Sequence, residues 1–179
     1  MKNKIIILLV VSWLVNLHAD LVQLKPIELA GKVGGYANGN SWKSDSLIGK
    51  TNVVFYVDPD KIIDVKNLIS TLEVEKVEND SFTITYIVNT KATLIPTFLI
   101  RKKIKKKAKK TATISYVLDN EKVLVQNWNL LDNSANVLIL NDENQIHNHF
   151  RAGKFLEIAY QLDNYEEKFE YRYFYEDFV

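Results

Sequence analysis

One stretch of the chain, residues 51–72, constrains the fold more than any other. Its sequence, TNVVFYVDPDKIIDVKNLISTL, begins with β-branched and aromatic residues that show no alternation between apolar and polar positions. Such a run is typical of a strand that is buried on both faces. Asp58 and Pro59 then suit the N-cap and first position of a helix, and apolar residues follow at helical spacing. The stretch therefore predicts a buried strand, a sharp turn and an amphipathic helix.

Downstream of this stretch, the sequence predicts an alternation of strands and helices. The other expected strands are residues 82–89, 111–118, 136–140 and 145–150, and the other expected helices are residues 94–110 and 154–165. Residues 20–29 could form an edge strand, residues 31–44 are rich in Gly and Asn and suggest a loop, and residues 123–125 suggest a short strand or a bend. This order predicts a three-layer α/β/α domain with a central mixed sheet. We expect residues 20–179 to form that single domain.

The first nineteen residues have the pattern of a secretory signal peptide. A basic segment, MKNK, precedes thirteen mostly apolar residues, IIILLVVSWLVNL, and Ala19 offers a small residue at a cleavage site. An uncleaved anchor is the alternative, although the apolar run falls short of the roughly 20 residues that span a bilayer. Cleavage after residue 19 would leave 21 basic and 22 acidic residues. We therefore expect a periplasmic protein without a transmembrane segment.

The chain contains no cysteine, and this excludes several classes of function. An exported compartment would permit disulfides, but none can form. Thiol redox catalysis, disulfide exchange and thiolate metal sites are excluded as well. The formal net charge of +1 argues against a partner that recognises the charge of the whole molecule, though it leaves room for a local charged patch.

Short motifs give the chain a resemblance to thioredoxin-like proteins. SLIGKTNVVFYVDP resembles the opening of exported thioredoxin-like proteins, in which CxxC follows at the helix start, and NSANVLILNDENQI resembles their late hairpin. More closely, residues 41–140 resemble the YtfJ family of small exported bacterial proteins. The matching motifs are Ser41-Trp42, Leu47-Ile48-Gly49-Lys50, Ile87-Val88-Asn89-Thr90, Ile95-Pro96, Leu118-Asp119, Asn127-Trp128-Asn129-Leu130 and Ser134-Ala135-Asn136-Val137.

This resemblance implies a thioredoxin-like fold, export and an unassigned molecular function. Members are sometimes described as transcriptional regulators, but an exported protein does not readily reach chromosomal DNA, so we expect no nucleic-acid partner. Asp58 stands where a thioredoxin has its nucleophilic cysteine, and Ser134-Ala135-Asn136 stands where it has a cis-proline. A cis bond before a non-proline residue costs about 2.5–4 kcal/mol, so we expect a trans bond there. The resemblance thus implies a protein that is not an enzyme.

Two pairs of residues could hold a cation, and each pair also has a structural interpretation. Asp58 and Asp60 could share an oxygen-preferring ion, or they could be an N-cap and a first-turn acid. His147 and His149 lie two apart on a predicted strand and could bind zinc, or they could line a solvated strand face. Because no further Cys or His ligand lies nearby, we expect no metal and no cofactor. An enzyme of another class that uses Asp58 is the alternative function.

The most unusual segment is RKKIKKKAKK, residues 101–110, in which eight of ten residues are basic. On a helix they would surround a thin apolar seam, and like charges four residues apart repel. They could be a solvated face that is partly neutralised by acidic residues elsewhere, for instance Glu166, Glu167, Glu170, Glu176 and Asp177. They could instead bind an anionic partner such as lipid headgroups, an acidic protein or a polyanionic glycan. The candidate binding residues are Arg101, Lys102, Lys105, Lys106 and Lys109.

The C-terminal residues 165–178 are rich in aromatic side chains. Tyr171, Tyr173 and Tyr175 alternate, which favours a strand packed on the domain over a segment that docks a partner. Taken together, the sequence predicts a non-catalytic, exported, thioredoxin-like protein that acts by binding. A purely structural envelope component is a further possibility, and the sequence indicates no oligomeric state.

Overall fold

The computed structural model of the protein describes residues 22–78, 80–151, 156–160 and 169–173. The expected signal peptide, residues 1–19, lies outside the described residues. The strands are β1 (Val22–Gln23), β2 (Glu28–Leu29), β3 (Gly34–Tyr36), β4 (Trp42–Lys43), β5 (Thr51–Val57), β6 (Phe82–Asn89), β7 (Ile114–Asp119), β8 (Ala135–Leu140), β9 (Gln145–Arg151), β10 (Leu156–Tyr160) and β11 (Phe169–Tyr173). The α-helices are α1 (Lys66–Glu78), α2 (Thr97–Ala108) and α3 (Val123–Trp128).

A seven-stranded mixed sheet forms the centre of the fold. Its strand order is β1-β9-β8-β5-β6-β7-β3. Strands β5, β6 and β7 run parallel, and the remaining neighbours pair antiparallel. The two parallel pairs confirm the βαβ unit that residues 51–89 predict, since parallel neighbours require a crossover connection. The predicted α/β fold with a central mixed sheet is therefore confirmed.

The two faces of the sheet are covered by different elements. On β5, Val53, Phe55 and Val57 belong to one core, which also contains residues of α1 and α2. Val54 and Tyr56 point to the opposite face and belong to a second core. This alternation follows from the pleat of a strand, which sends successive side chains to opposite faces. We call the first face the helix face and the second the N-terminal face.

The N-terminal face is covered by the segment that precedes β5 and by α3. Trp42 of β4 and Trp128 of α3 meet edge to face there, with ring centroids 6.3 Å apart. The Trp128 indole N–H donates to the Lys25 carbonyl oxygen at 2.8 Å, which gives this buried ring the partner that its polar atom needs. Within the described residues, the second layer is thus built largely from the N-terminal chain, with α3 as its helix.

Four expectations about local structure are wrong. The glycine-rich residues predicted as loop contain β3, because Gly34 lets the chain approach β7 closely and Gly35 leaves room for the backbone of Asn40 and Leu29. Residues 123–125 begin α3 and are neither strand nor bend, because Asp119 accepts hydrogen bonds from the first turn. Within the helix predicted at residues 154–165, the described residues 156–160 form β10 instead, which pairs with β11. Pairing between distant segments overrides local helical periodicity there.

The fourth wrong expectation concerns the helix that follows β5. Residues Pro59–Val65 form a 3-10 helix, and the α-helix begins only at Lys66. The expected strand in the C-terminal tail is confirmed as β11, whereas packing of the tail's aromatic side chains lies outside what the structure describes. Every peptide bond of the described residues is trans, as expected before Ala135 and Asn136. Among the described residues, no helix is long and apolar enough to cross a membrane.

Candidate functional site

A buried polar cluster lies at the carboxyl ends of the three parallel strands. Asp58 follows β5, Asn89 ends β6 and Asp119 ends β7, so the parallel arrangement brings them to one edge of the sheet. Asn136 joins them from the start of β8, and all four residues are buried. Ligands of open α/β sheets bind at this edge, which makes it the first place to look for a site.

Asp58 is tied to the chain segment that resembles a cis-proline loop. Its carboxyl Oδ2 accepts a hydrogen bond from the Ser134 N–H at 3.0 Å. Its own N–H donates to the Ser134 carbonyl oxygen at 3.2 Å. Asp58 has the extended backbone of an N-cap and Pro59 follows it, as predicted, but the carboxyl makes no capping hydrogen bond to the helix. The prediction that the Asp58 side chain caps the helix is therefore wrong, because its carboxyl accepts a hydrogen bond from Ser134 instead.

The second carboxyl oxygen of Asp58 lies beside Asn89. Asp58 Oδ1 and Asn89 Nδ2 both lack a hydrogen bond of regular geometry, although Asn89 still lowers the carboxyl pKa as a nearby donor. Burial has the larger effect and raises the Asp58 pKa above its ordinary value of 3.8. Only 2% of Asp58 is exposed to solvent. The Asp58 carboxyl group is therefore costly to ionise, and a substrate cannot reach it.

Asp119 is fully used as an acceptor. Its Oδ1 accepts from the N–H groups of Glu121 and Val123, and its Oδ2 accepts from the N–H of Leu124. The Tyr56 hydroxyl also donates to Oδ2, at 3.2 Å. Burial and the adjacent Asp119 raise the pKa of Tyr56, so this hydroxyl stays protonated as a donor. Asp119 thus caps α3 and joins β5 to β7.

Asn136 holds the turn before β8 in the same manner. Its side chain accepts from the Leu131 N–H at 3.0 Å and donates to the Leu131 carbonyl oxygen at 2.9 Å. His149 of β9 lies against the same amide, with Nε2 at 3.1 Å from Asn136 Oδ1. Above the cluster, Lys122 and Asp132 form an ion pair at 2.5 Å. Asp132 raises the Asp58 pKa and Lys122 lowers it, so the pair adds little net charge there.

The cluster is better suited to holding loops than to catalysis. Most of its polar atoms are consumed by contacts within the chain, and the exception is the Asp58 Oδ1–Asn89 Nδ2 pair. Sequence reasoning found Asp58 but missed the roles of Asn89, Asp119 and Asn136. A signal was present, because these three residues lie within motifs that carry the family resemblance. Each looks like an ordinary residue at a strand end until the register of the sheet brings them together.

The two predicted cation pairs gain no support from the described part of the chain. That part contains no group of three His, Asp or Glu residues able to hold a metal ion. Asp58 is buried against Ser134, whereas Asp60 is exposed. His147 is exposed, and the ring of His149 contacts Asn136. The pairs are explained by these structural roles.

The basic segment forms most of α2 on the helix face, away from the polar cluster. Ile100 and Ile104 are buried and Ala108 packs beside them, which confirms the predicted apolar seam. Two of the cations have partners within the fold. Arg101 is half-buried and donates to the Tyr36 carbonyl oxygen at 3.5 Å. Lys107 Nζ lies 5.5 Å from the ring centroid of Tyr86, in cation–π contact.

The remaining cations of α2 face solvent. The other exposed lysines are Lys102, Lys103, Lys105, Lys106, Lys109 and Lys110, and the ion pairs found among the described residues involve none of them. We call four of them, Lys102, Lys105, Lys106 and Lys109, the basic face. The acidic residues of the tail, which the sequence offers as neutralising partners, have no described side chains. The last turn of α2 holds three lysines, where the negative end of the helix dipole offsets part of their repulsion.

Comparisons with known proteins support both the fold and the family. A family model described as "Bacterial protein of unknown function (YtfJ_HI0045)" matches residues 28–160. An uncharacterised conserved protein from Geobacillus kaustophilus is similar in structure, with a TM-score of 0.55 and 12% identity over 72% of this chain and 67% of that one. A putative thioredoxin from Neisseria meningitidis gives a TM-score of 0.54 and 13% identity over 73% and 80% of the two chains.

The pneumococcal exposed lipoprotein thioredoxin from Streptococcus pneumoniae is also similar, with a TM-score of 0.52 and 13% identity over 70% and 88% of the two chains. At such identities these structures share the fold alone, and they confirm that it is thioredoxin-like. Among curated proteins, none matches the chain. The chain itself has no cysteine anywhere.

Proposed function

Since the chain belongs to the YtfJ_HI0045 family of bacterial proteins of unknown function, we propose that it binds an anionic partner and is not an enzyme. The observation that carries this proposal is the basic face of α2. Four lysines project to solvent from one helix without an acidic partner among the described residues. The lysines on this helix repel one another, so binding to an anionic surface that neutralises them stabilises the helix.

The environment of Asp58 supports the absence of catalysis. Asp58 is buried, its carboxyl is held by the Ser134 N–H, and no cysteine exists to carry thiol chemistry. An enzyme of another class would need Asp58 within reach of a substrate and a second convergent group. Asn89 is the nearest such group, but it is also buried and cannot transfer a proton. The binding proposal therefore has the stronger physical support.

The second part of the proposal is that the protein is exported to the periplasm. The basic, apolar and small-residue segments of residues 1–19 have the order of a cleavable signal peptide, and a protein in the periplasm meets anionic surfaces. Detection of the mature N-terminus at residue 20 by mass spectrometry of a periplasmic extract would support this part. An N-terminus that retains residues 1–19 would contradict it.

The test of anionic binding uses two soluble polyanions, heparin and polyglutamate, with the purified protein. We expect salt-sensitive binding to at least one of them. Lys105→Gln/Lys106→Gln/Lys109→Gln removes three charges while keeping good helix formers, and we expect it to weaken binding at least about tenfold. The matched control Lys32→Gln/Lys61→Gln/Lys66→Gln removes the same charge from exposed lysines elsewhere. Equal binding by the two triple variants would contradict the proposal.

A further inference from the structure

The apolar residues next to the basic face are unusually exposed. Leu94 is fully exposed in the turn that leads into α2, and 69% of Phe98 is exposed in the first turn of the helix. Ile95 and Leu99, beside them, are also exposed. Burying an aromatic or leucine side chain is worth about 1.5–3 kcal/mol. A chain that leaves two such side chains exposed within four positions of each other therefore forgoes a substantial stabilisation, which suggests that another surface covers them.

Helix geometry places Phe98 and the lysines on one surface. Ile100 and Ile104 fix the buried side of α2. Phe98, Lys102, Lys105 and Lys109 follow at spacings of four, three and four residues, which form one stripe along a helix. That stripe lies opposite the buried side, since Phe98 and Lys102 are each two positions from Ile100 and successive residues turn by 100°. The outward surface of α2 is thus apolar at its start and cationic along the rest.

We propose that this surface docks on an anionic phospholipid bilayer, with Leu94 and Phe98 inserted at the interface and the basic face over the headgroups. The inference rests on the proposed function and names its partner. Phe and Leu beside lysines are the composition of interfacial membrane-binding helices. Anionic headgroups attract basic residues held close to the bilayer surface.

The chemistry of α2 favours a lipid surface over an acidic protein. Seven of the eight basic residues in residues 101–110 are lysine. Protein interfaces are depleted of lysine and enriched in arginine and aromatic anchors. Arginine is also the residue that pairs bidentately with a particular carboxylate or phosphate. The single arginine, Arg101, is turned to Tyr36 of its own chain. The basic face is therefore suited to diffuse attraction by many headgroups.

The turn that carries Leu94 is held by hydrogen bonds in the protein alone. The Ile95 N–H donates to the Thr93 hydroxyl at 3.3 Å, and the Thr90 hydroxyl donates to the Asn120 side chain at 2.8 Å. Pro96 then fixes the entry into α2, where its carbonyl oxygen accepts from the Leu99 N–H. A fixed turn loses little conformational entropy on docking.

Fluorescence of Phe98→Trp tests insertion directly. Trp42 and Trp128 are buried, so the difference spectrum against the parent protein isolates the new indole. We expect its emission to shift to the blue with vesicles that contain phosphatidylglycerol and to stay unchanged with neutral phosphatidylcholine vesicles. Val77→Trp, at an exposed apolar position of α1, is the matched control and should not shift. No shift for Phe98→Trp, or an equal shift with both kinds of vesicle, would overturn the inference.

Cosedimentation with the same vesicles separates this inference from the proposed function. We expect Leu94→Ser/Phe98→Ser to weaken vesicle binding about tenfold and to leave binding to soluble polyanions unchanged. The control Ile63→Ser/Val77→Ser removes exposed apolar residues elsewhere and should bind as the parent does. If the Leu94/Phe98 variant sediments like the parent while the basic-face variant loses polyanion binding, the lipid inference fails and the anionic-partner proposal stands. If the basic-face variant loses no binding to any probe, both fail.

Discussion

Asp58 and Ser134 are joined by two hydrogen bonds although 76 positions separate them in the chain. The pair connects the end of β5 with the segment that leads into β8, at the carboxyl edge of the parallel strands. These hydrogen bonds hold the two segments together at that edge of the sheet.

Replacing Asp58 tests the strength of this connection. Asp58→Ala leaves the Ser134 N–H buried without its acceptor, which costs about 1–3 kcal/mol of unfolding free energy. Asp60→Ala is the control, since Asp60 is an exposed acid two residues further along and its loss should change stability by less than about 0.5 kcal/mol. Urea denaturation of both variants gives the comparison. Equal stability of the two would show that the hydrogen bond from the Ser134 N–H to the Asp58 carboxyl contributes nothing.

The raised pKa of Asp58 predicts how its contribution depends on pH. Burial makes the folded state bind this proton more tightly than the unfolded state does. Stability attributable to Asp58 is therefore greatest below its ordinary pKa of 3.8, and it falls as the pH rises through the raised folded value. We expect the difference in unfolding free energy between the parent protein and Asp58→Ala to decrease as the pH rises from 3.8 to the folded-state pKa of Asp58. Above that pKa the difference should stay constant. A difference that widens with pH would mean that the surrounding donors outweigh burial.

Asp119 predicts a graded loss of stability. Asp119→Ala leaves three backbone N–H groups and the Tyr56 hydroxyl without an acceptor, so we expect a loss of at least about 3 kcal/mol. Asp119→Asn keeps one acceptor oxygen and should lie between that variant and the parent. Tyr56→Phe removes a single donor and should cost about 1 kcal/mol. Thermal and urea unfolding would rank the three, and a Tyr56→Phe loss as large as that of Asp119→Ala would contradict this assignment.

The sequence predicted the centre of the fold well because the centre is determined locally. Strands β5 and β6 occupy the predicted residues, since continuous apolar runs bounded by turn residues leave little choice of boundary. The start of the next helix was harder to predict. Residues 59–65 have the apolar spacing of a helix, and that spacing does not distinguish a 3-10 helix from an α-helix.

The misses arise where a tertiary contact decides the local structure. α3 forms because the carboxyl of Asp119, held at the buried end of the preceding strand, accepts hydrogen bonds from the first turn of the helix. β10 forms because a later strand, β11, pairs with it. The polar cluster was missed for the same reason, since Asn89, Asp119 and Asn136 become neighbours only once the strand register is known. The basic face was visible because it depends on one helix alone.

The glycines of β3 show how such a miss can be tested. Gly34 and Gly35 suggested a loop, yet they lie in an edge strand that pairs with β7, and backbone atoms approach both residues more closely than a side chain would allow. A Cβ on Gly35 would lie 2.5 Å from the Asn40 carbonyl oxygen and 3.1 Å from that of Leu29, at a φ of +120° that L-residues rarely adopt. Both contacts are to backbone, which cannot turn aside as a flexible side chain can.

We therefore expect Gly35→Ala to cost at least about 3 kcal/mol, from the strained φ and the overlap together. Gly31→Ala is the matched control, because Gly31 also has a positive φ, of +57°, but has no atom within 4 Å of the added Cβ. It should lose only the roughly 1–2 kcal/mol of a left-handed conformation. Urea denaturation of both variants separates overlap from strain. If the two lose the same stability, the chain around Gly35 can move apart, and the close approach of the Asn40 and Leu29 backbone does not explain why glycine stands there.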